Sequence, residues 1–491
     1  MTTSALRFTA LLPAAVLVAF VHAPDEPTPA AGPTDPLHAR ADAFLQRVAD
    51  AGFHGSVLVV RDDRTILDKG YGLRDRERGL PNTPDTVHAI GSITKQFTAA
   101  AILKLQELGK LELQDPLARH LPGVPADKAA ITLHQLLTHS AGFPGAIGDD
   151  YAPVGRDEFV QLAFATPLGF EPGAGYEYSN VGYSLLGAVV ELASGQGYEP
   201  FLHDQLLQPA GLALTGYQTP DWSAAELAVG YDKRGERWGT MLDHPWAPDG
   251  PWWHLRCNGG LLSTTHDLLA WTEILQRHAV LGPDSVRQML APHVEEGPGA
   301  GSHYGYGWAV FRTPRGTRLI THNGGNGIQF ADVLWYADEG LFIALMSNAS
   351  ARGMQDLAWE IGRMAFDPDY EPQPPQPPRT LPGPPDGPVG ERLRALSAVF
   401  ASGSDDAALT AWLQANLGPG FLQDVPLERH LAVFRQLCAD IGANRIESLE
   451  QLGPEEYVLR LRSERDRAVH RLQVQLRPTD ARIGGLGADR E

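Results

Sequence analysis

The chain has 491 residues, and its formal net charge is −19 at pH 7. Because an acidic chain without a local cluster of Lys and Arg does not attract phosphate groups, nucleic acid is excluded as an expected partner. Cys257 and Cys438 are too few for a disulfide framework or a zinc site, and we expect them to be unpaired. The histidines show no His-Glu-x-x-His spacing, so we expect neither a metal nor another cofactor.

The first residues have the pattern of an export signal. Arg7 precedes an apolar run over residues 8–23, and acidic, Pro-rich sequence follows. Such a run is typical of a cleaved signal peptide and is short for a membrane span. We therefore interpret residues 1–23 as a signal peptide and residues 24–37 as a disordered segment, and we expect an exported protein, periplasmic or secreted, without a membrane span. An N-terminal core helix is the alternative, and the cleavage site stays open.

A hairpin and a buried helix are predicted next. Residues 55–60 and 65–67 have the apolar, β-branched composition of strands and flank a polar turn. Residues 93–108 carry apolar side chains at helical spacing and are followed by Gly109, which is typical of a helix C-terminus. Ser92 is therefore predicted to lie where a loop enters a buried helix.

The rest of this domain is predicted to be helical first and then strand-rich. Helices are indicated over residues 181–193 and after Thr264. From residue 304 the apolar period changes to two and predicts four strands before a last helix over about 353–364: 306–311, 318–322, 328–336 and 341–347. Early strands, a helical middle and late strands favour one sheet assembled from both ends of an α/β (α+β) domain, which we assign to residues 38–366.

A proline-rich segment separates this domain from the C-terminal part of the chain. Residues 367–389 are dominated by proline, which is excluded from helix interiors and central strands, so we interpret them as a semi-rigid linker. Beyond it, three helical patterns precede strand-like runs over 457–462 and 468–476. Residues 390–491 are therefore predicted to form a separate small α+β domain, whose role the sequence does not indicate.

The tetrapeptide Ser92-Ile93-Thr94-Lys95 is the first motif that can carry chemistry. A serine hydroxyl needs a base to become a nucleophile, and lysine can serve when burial or nearby charge lowers its pKa. Residues i and i+3 on a helical turn face the same side. Lys95 is also the only one of the six lysines with a serine three positions before it. The alternative is an N-cap serine with a surface lysine, but the apolar run 97–103 indicates a buried helix.

The second motif is Tyr178-Ser179-Asn180, directly before the helix predicted from residue 181. In an extended segment, residues i and i+2 point to one side, so the Tyr178 hydroxyl and the Asn180 amide could converge on one substrate group. The alternative is helix capping, with Ser179 or Asn180 as N-cap and Tyr178 as a packing aromatic residue.

The third motif is His322-Asn323-Gly324-Gly325, at the end of a predicted strand. Glycines at a strand margin allow another backbone to approach, so a substrate could lie along this edge as an added strand. A plain hairpin turn explains the glycines equally well, and a single surface histidine is the alternative for His322.

In this order, the three motifs resemble those of the serine β-lactamase and penicillin-binding-protein superfamily, in the form seen in class C β-lactamases, related D,D-peptidases and esterases. The resemblance covers roughly residues 38–365, and the segments 131–144 and 259–268 are similar to connecting segments of that family. It implies a β-lactamase/transpeptidase-like fold, in which an antiparallel sheet is flanked by helices and a mainly helical subdomain is inserted.

The resemblance also implies roles for the first two motifs. Ser92 would attack a carbonyl and form an acyl-enzyme, while Lys95 and Tyr178 would share the proton transfers. Asn180 would hold the acyl-side amide of the substrate. Which of Lys95 and Tyr178 is the principal base stays open, as it does for related enzymes.

The third motif would bind the substrate through His322, Gly324 and Gly325. The backbone N–H groups of Ser92 and Gly325 would bind the oxyanion. This motif departs from the Lys-Thr-Gly of β-lactamases, because His322 and Asn323 replace a permanent cation and a hydroxyl by an imidazole and an amide. Recognition of a substrate carboxylate is therefore in doubt.

These observations predict a serine hydrolase that acts on an ester, an amide or a D-amino-acid peptide. The expected partner is a small-molecule or peptide substrate, and the oligomeric state stays open. The alternatives are a true β-lactamase, which His322 disfavours, and a sensor protein that captures a penicillin-like ligand without turnover.

Overall fold

The computed structural model describes residues 36–490 except 233, 298, 350–352, 374–378, 403–404 and 425–426. Residues 1–23, which were predicted to be a signal peptide, and residues 24–35 lie outside the described residues, whereas Pro36 and Leu37 begin a helix and so do not belong to a disordered segment. The chain divides into two compact units, residues 1–373 and residues 374–491. Over the described ranges, we find no helix with the length and apolar content needed to cross a bilayer.

The first unit is built on an antiparallel sheet with eight strands among the described residues. Its first two strands, Gly55–Arg61 and Arg64–Tyr71, lie beside the last strand in sequence, Leu341–Ser347. Strands from both ends of the domain thus pair side by side in one sheet, which confirms the predicted architecture. The spatial order of the strands is Val294–Glu295, Ser302–Tyr304, Ala309–Arg312, Arg318–Gly325, Phe330–Tyr336, Leu341–Ser347, Gly55–Arg61 and Arg64–Tyr71.

Both faces of this sheet are covered, which explains why its central strands are apolar at successive positions. Val57 and Val59 pack with the helices Pro36–Asp50 and Leu357–Phe366. Leu58, on the opposite face, joins the core of the helical part. Further short strands lie outside this sheet, at Leu73–Asp75, Leu80–Pro81, Thr86–Ala89, Glu226–Leu227, Gly230–Tyr231, Arg237–Gly239 and Leu262–Ser263.

The helical part surrounds one buried helix, Thr94–Glu107, which we call the site helix. Every side chain from Thr94 to Leu103 on it is buried. A helix that is buried all round lies inside a domain core, and the others pack around it. These helices are Leu133–Leu137, Arg156–Ala165, Asn180–Ser194, Tyr198–Leu202, Thr265–Gln276 and Pro283–Met289.

The sequence located most of these elements but misplaced several ends. The predicted strand 306–311 is Ala309–Arg312, and the strand predicted from residue 328 begins at Phe330. The last helix is Leu357–Phe366, because the preceding residues Met354–Asp356 form a 3₁₀ turn. The short strands Val294–Glu295 and Ser302–Tyr304 were not predicted, since two or three residues give no measurable period.

The second unit contains a five-stranded antiparallel sheet packed against helices through one apolar core. The helices are Pro388–Ala401, Asp406–Asn416, Pro419–Asp424 and Leu427–Ile441, and the strands are Arg379–Leu381, Asn444–Gln451, Glu456–Ser463, Val469–Leu476 and Ile483–Arg490. Arg379–Leu381 pairs with Asn444–Gln451 and the first helix begins at Pro388. The linker interpretation is therefore wrong for these residues, because proline tolerates an edge strand and the first helical position. Cys438 is buried here and Cys257 in the first unit, and both are unpaired.

Candidate active site

Ser92 lies on a sharp turn at the start of the site helix. Gly91–Ile93 forms a 3₁₀ turn that runs directly into Thr94–Glu107. Gly91 has φ +50°, a conformation that favours glycine. Since the first N–H groups of a helical segment have no helical partner, the Ser92 N–H is available to a ligand, and the half-buried Ser92 side chain borders a cleft.

Lys95 places its amine against the Ser92 hydroxyl. Its Nζ lies 3.0 Å from Ser92 Oγ, 2.8 Å from Asn180 Oδ1 and 2.8 Å from the Asn258 carbonyl oxygen. An amide oxygen and a backbone carbonyl can only accept, so they take two N–H groups. When the amine is neutral, its lone pair therefore points at Ser92 Oγ and can receive the hydroxyl proton.

The surroundings of Lys95 favour this neutral form. The side chain is completely buried, and burial lowers its pKa well below the usual range of an ammonium group. The carboxyl group of Asp150 acts in the opposite direction, with a smaller effect. A buried lysine with a lowered pKa has the property required of a general base.

Tyr178 lies close to the same amine. Lys95 Nζ is 4.7 Å from the centre of the Tyr178 ring. Within the described residues the Tyr178 hydroxyl is buried and has no partner in hydrogen-bond geometry. Burial raises the pKa of Tyr178, although the nearby Ser92 hydroxyl favours the phenolate to a smaller extent. Tyr178 thus presents a protonated hydroxyl beside the nucleophile.

At the helix entry after Tyr178, one residue of the motif caps the helix and another contacts the candidate site. Ser179 is the N-cap of the helix Asn180–Ser194, and its hydroxyl accepts a hydrogen bond from the Gly182 N–H at 3.1 Å. The cap fixes where Tyr178 and Asn180 lie on either side of it. The capping alternative is therefore correct for Ser179, while Asn180 contacts Lys95.

His322 lines the same cleft but is held as a neutral imidazole. Its Nδ1 lies 2.5 Å from the Asn323 carbonyl oxygen, which can only accept, so Nδ1 carries the proton. Its Nε2 lies 2.9 Å from the Tyr304 hydroxyl and accepts from it. Burial, and to a smaller extent the Lys95 amine when it is protonated, lowers the pKa of His322 to about 3. His322 therefore does not replace the permanent cation of a lysine.

The glycines of the third motif lie within a strand and not in a turn. The strand Arg318–Gly325, which we call the site strand, pairs through Gly325 with Phe330–Tyr336. On its other side, Ala309–Arg312 pairs only as far as Thr321. Among the described strands, the edge at residues 322–325 is thus unpaired and borders a cleft of about 480 Å³ beside Ser92. This edge can receive an extended substrate.

Gly324 is required because two backbones meet at this edge. A β-carbon on Gly324 would lie 2.1 Å from the Ile90 carbonyl oxygen and 2.3 Å from the Ser92 nitrogen. A β-carbon on Gly91 would lie 2.3 Å from the Gly325 nitrogen. The structure therefore brings the N–H groups of Ser92 and Gly325 to the same place, as an oxyanion site requires.

We expect Gly324→Ala to abolish most activity and to destabilise the protein by about 1–3 kcal/mol, because the new methyl group forces the site strand away from Ser92. Thermal unfolding and the rate of Ser92 labelling by a fluorophosphonate measure the two effects. Gly487→Ala is the control, since a β-carbon at Gly487 makes only an ordinary contact, 4.0 Å from the Gln473 β-carbon, and Gly487 does not have a positive φ. Unchanged stability and labelling in Gly324→Ala would contradict the close approach of the two backbones.

The structure adds site residues that the sequence did not indicate. Tyr304 holds His322, and the backbone carbonyl of Asn258 holds Lys95. His139 is buried and has φ +58°, and its Nδ1 accepts a hydrogen bond from the Ser179 N–H at 3.0 Å. Its ring centre lies 4.3 Å from that of Tyr178, so it packs directly against the candidate acid–base group. The segment 131–144, which includes His139, was interpreted only as a marker of the fold.

A serine beside a buried lysine at a helix start, together with a tyrosine and the glycine edge of an antiparallel strand, is the arrangement expected of a serine hydrolase with the β-lactamase fold. The chain belongs to the β-lactamase family of serine hydrolases, whose family model matches residues 41–363.

Several known proteins are similar to this chain in sequence or in fold. A putative penicillin-binding protein of Bacillus subtilis is 30% identical over 261 residues, which are 53% of this chain and 63% of that protein. The chain therefore covers less than two thirds of that relative's length. A penicillin-binding protein from Bacillus halodurans is 26% identical with a TM-score of 0.57, over 67% of this chain and 99% of the other. The octameric penicillin-binding protein homologue from Pyrococcus abyssi is similar in fold, with 22% identity, a TM-score of 0.62 and coverage of 92% and 95%.

Proposed function

We propose that the protein is an exported hydrolase that forms an acyl-enzyme on Ser92 and cleaves an ester, an amide or a D-amino-acid peptide bond. The observation that carries this proposal is the orientation of the Lys95 amine. Two carbonyl-type acceptors, on Asn180 and Asn258, take its N–H groups and direct its lone pair to Ser92 Oγ.

The reaction follows from this arrangement. Ser92 Oγ attacks the substrate carbonyl and passes its proton to Lys95 Nζ, while the oxyanion accepts hydrogen bonds from the N–H groups of Ser92 and Gly325. The leaving group departs with a proton delivered from Lys95 or through the Tyr178 hydroxyl. Water then attacks the ester on Ser92 and loses its proton by the same route, which restores the serine.

The electrostatics of the cleft favour hydrolysis of esters and amides over β-lactams. Recognition of the β-lactam carboxylate requires a cation near the site strand, and His322 is neutral there because its pKa is lowered to about 3. The true β-lactamase and the sensor protein that acylates without turnover are the competing functions.

A probe panel distinguishes these functions. The protein is incubated with a fluorophosphonate or a penicillin, and the adduct is located by mass spectrometry. Turnover is measured with nitrocefin, a p-nitrophenyl ester and a D-Ala-D-Ala peptide. We expect an adduct on Ser92 together with turnover of the ester or the peptide and slow turnover of nitrocefin. An adduct without any turnover identifies the sensor, fast nitrocefin hydrolysis identifies the β-lactamase, and an unlabelled Ser92 rejects all three.

Export is the second part of the proposal and rests on the apolar run that follows Arg7. Expression of the full chain in a bacterial host, followed by cell fractionation and N-terminal sequencing, tests it. We expect the mature protein outside the cytoplasm, cleaved near residue 23. A cytoplasmic protein that retains residues 1–23 would contradict export and leave the catalytic proposal untouched.

A further inference from the structure

Among the described residues that line the Ser92 cleft, Glu296 is the one with a carboxylate side chain, and none is a lysine or an arginine. The other titratable lining residues are Tyr178, Tyr304 and His322. Burial raises the pKa of both tyrosines and lowers that of His322 to about 3, so these three side chains are neutral. Residues without a titratable side chain, among them the polar Thr321 and Asn323, complete the described lining. The substrate therefore meets a single negative charge in the cleft.

The fold holds this carboxylate at the cleft. Glu296 follows the strand Val294–Glu295, and its backbone N–H donates to the Ser302 carbonyl oxygen at 3.1 Å in the adjoining hairpin. The Tyr176 hydroxyl donates to Glu296 Oε1 at 3.1 Å. Tyr176 is two residues before Tyr178, so the segment that supplies the candidate acid–base group also positions the carboxylate.

Glu296 has no cationic partner within the described part of the protein. Its side chain takes part in no ion pair there, and the Tyr176 hydroxyl is its one hydrogen-bond donor. Lys95 is the basic group of the site, but it is fully buried and its amine is occupied by Ser92, Asn180 and Asn258. A half-buried carboxylate of this kind gains free energy when a ligand supplies the missing cation.

The carboxylate also lies close enough to the reaction centre to influence it. The charge of Glu296 raises the pKa of both Tyr176 and Tyr178. Because Glu296 and Ser92 line the same cleft, a molecule that places a cation at Glu296 lies beside the nucleophile. The aromatic rings of Tyr178 and Tyr304 on the cleft wall offer further electrostatic attraction to an ammonium group.

We propose that Glu296 selects substrates with a free ammonium group, and that the preferred acyl donors are amides or esters of amino acids with an unblocked amino group. This inference rests on the proposed acyl-enzyme chemistry at Ser92 and specifies its substrate class. A substrate that places a carboxylate at the same position meets repulsion from Glu296.

A charge series of one compound tests this selection. The p-nitroanilides of alanine, N-acetylalanine and N-succinylalanine, in both configurations, share one scissile bond and carry at the α-nitrogen an ammonium, a neutral amide and an amide whose acyl chain ends in a carboxylate. Each compound is measured as a substrate and as a competitor of fluorophosphonate labelling at Ser92, so that a ranking is obtained even when turnover is slow. We expect the ammonium compound to be preferred over the acetylated one by about 10- to 100-fold, as for a charge-assisted hydrogen bond.

Two variants assign this preference to Glu296. In Glu296→Gln we expect kcat/KM for the ammonium compound to fall by about 10- to 100-fold, and that for the acetylated compound to fall by a clearly smaller factor, since the second compound loses only the effect of Glu296 on Tyr178. Glu295→Gln is the matched control, because Glu295 is the neighbouring exposed carboxylate and does not line the cleft. We expect it to alter neither value.

The outcomes separate this inference from the proposed function. Equal ranking of the three compounds, preference for a blocked amino group, or an equal loss for all three in Glu296→Gln overturns the inference while Ser92 labelling persists. An equal loss would mean that Glu296 acts only by positioning Tyr176 and Tyr178. Absence of labelling at Ser92 in the wild-type protein rejects the proposed function itself.

Discussion

Ser92→Ala is expected to reduce turnover by a factor on the order of 10⁴ to 10⁶, because no acyl-enzyme can form without the hydroxyl. The fold is expected to persist, since the substitution removes one half-buried oxygen whose protein contact is the Lys95 amine. The measurement is kcat/KM on the ester or amide substrate, together with thermal unfolding and mass spectrometry after fluorophosphonate treatment.

The matched control is Ser223→Ala, which removes an exposed serine hydroxyl elsewhere in the first unit. We expect full activity and full labelling in this variant. Retention of more than about one thousandth of wild-type activity in Ser92→Ala, with an unchanged melting temperature, would show that another group is the nucleophile.

The residues that the structure brings together at the candidate site could be predicted because three of its parts are local in sequence. Ser92 and Lys95 are one helical turn apart, and the run of apolar residues after Lys95 is by itself enough to indicate a buried helix. Tyr178 and Asn180 flank an N-cap, and Gly324 stands where a strand meets another backbone. Each of these positions is defined by a short segment, so the residue types of that segment and their spacing are enough to predict it.

The remaining parts depend on contacts between distant segments. Asn258 acts through its backbone carbonyl, which any residue type would supply, so its identity gives no signal. Tyr304 lies on a three-residue strand and holds His322 across the sheet, and Glu296 reaches the cleft through a hairpin. His139 packs against Tyr178 from a turn that follows a short helix. These residues become functional only through tertiary structure.

In the C-terminal unit as well, the elements that depend on contacts between distant segments were not predicted from the sequence. Three of its four described helices were predicted from their apolar period, as were the strands Glu456–Ser463 and Val469–Leu476, whereas the six-residue helix Pro419–Asp424 was not predicted. The strands Asn444–Gln451 and Ile483–Arg490 were missed, because the first is mostly polar and the second contains several glycines. Both segments become strands because they pair with neighbouring strands that do have apolar alternation. Sheet pairing therefore overrides their weak intrinsic preference.

Lys95→Arg is expected to lower kcat/KM by about 10²- to 10⁴-fold, the usual contribution of a general base. Arginine keeps the positive charge but cannot accept a proton from Ser92. Because it also buries a permanent charge, we expect a stability loss of several kcal/mol. Lys95→Met removes the base and buries no charge, so it separates the loss of the base from the effect of a buried charge. Lys110→Arg, on the surface, is the control. Near wild-type activity in folded Lys95→Arg would refute the base role.

The pH dependence of the wild-type protein tests the same role without a change in the active site. Burial lowers the pKa of Lys95 well below 10.5, so the rate of Ser92 labelling should rise with pH through that lowered pKa and be constant above it.

Between the lowered pKa and 10.5 the unfolded chain binds a proton that the folded protein does not, so this residue makes the free energy of unfolding increase with pH. We expect Lys95→Met to remove up to about 1.4 kcal/mol of that increase per pH unit, measured by denaturant unfolding between about pH 8 and 10. Identical slopes in the two proteins, with a labelling midpoint near the ordinary lysine pKa, would show that Lys95 is charged in the folded state and does not serve as the base.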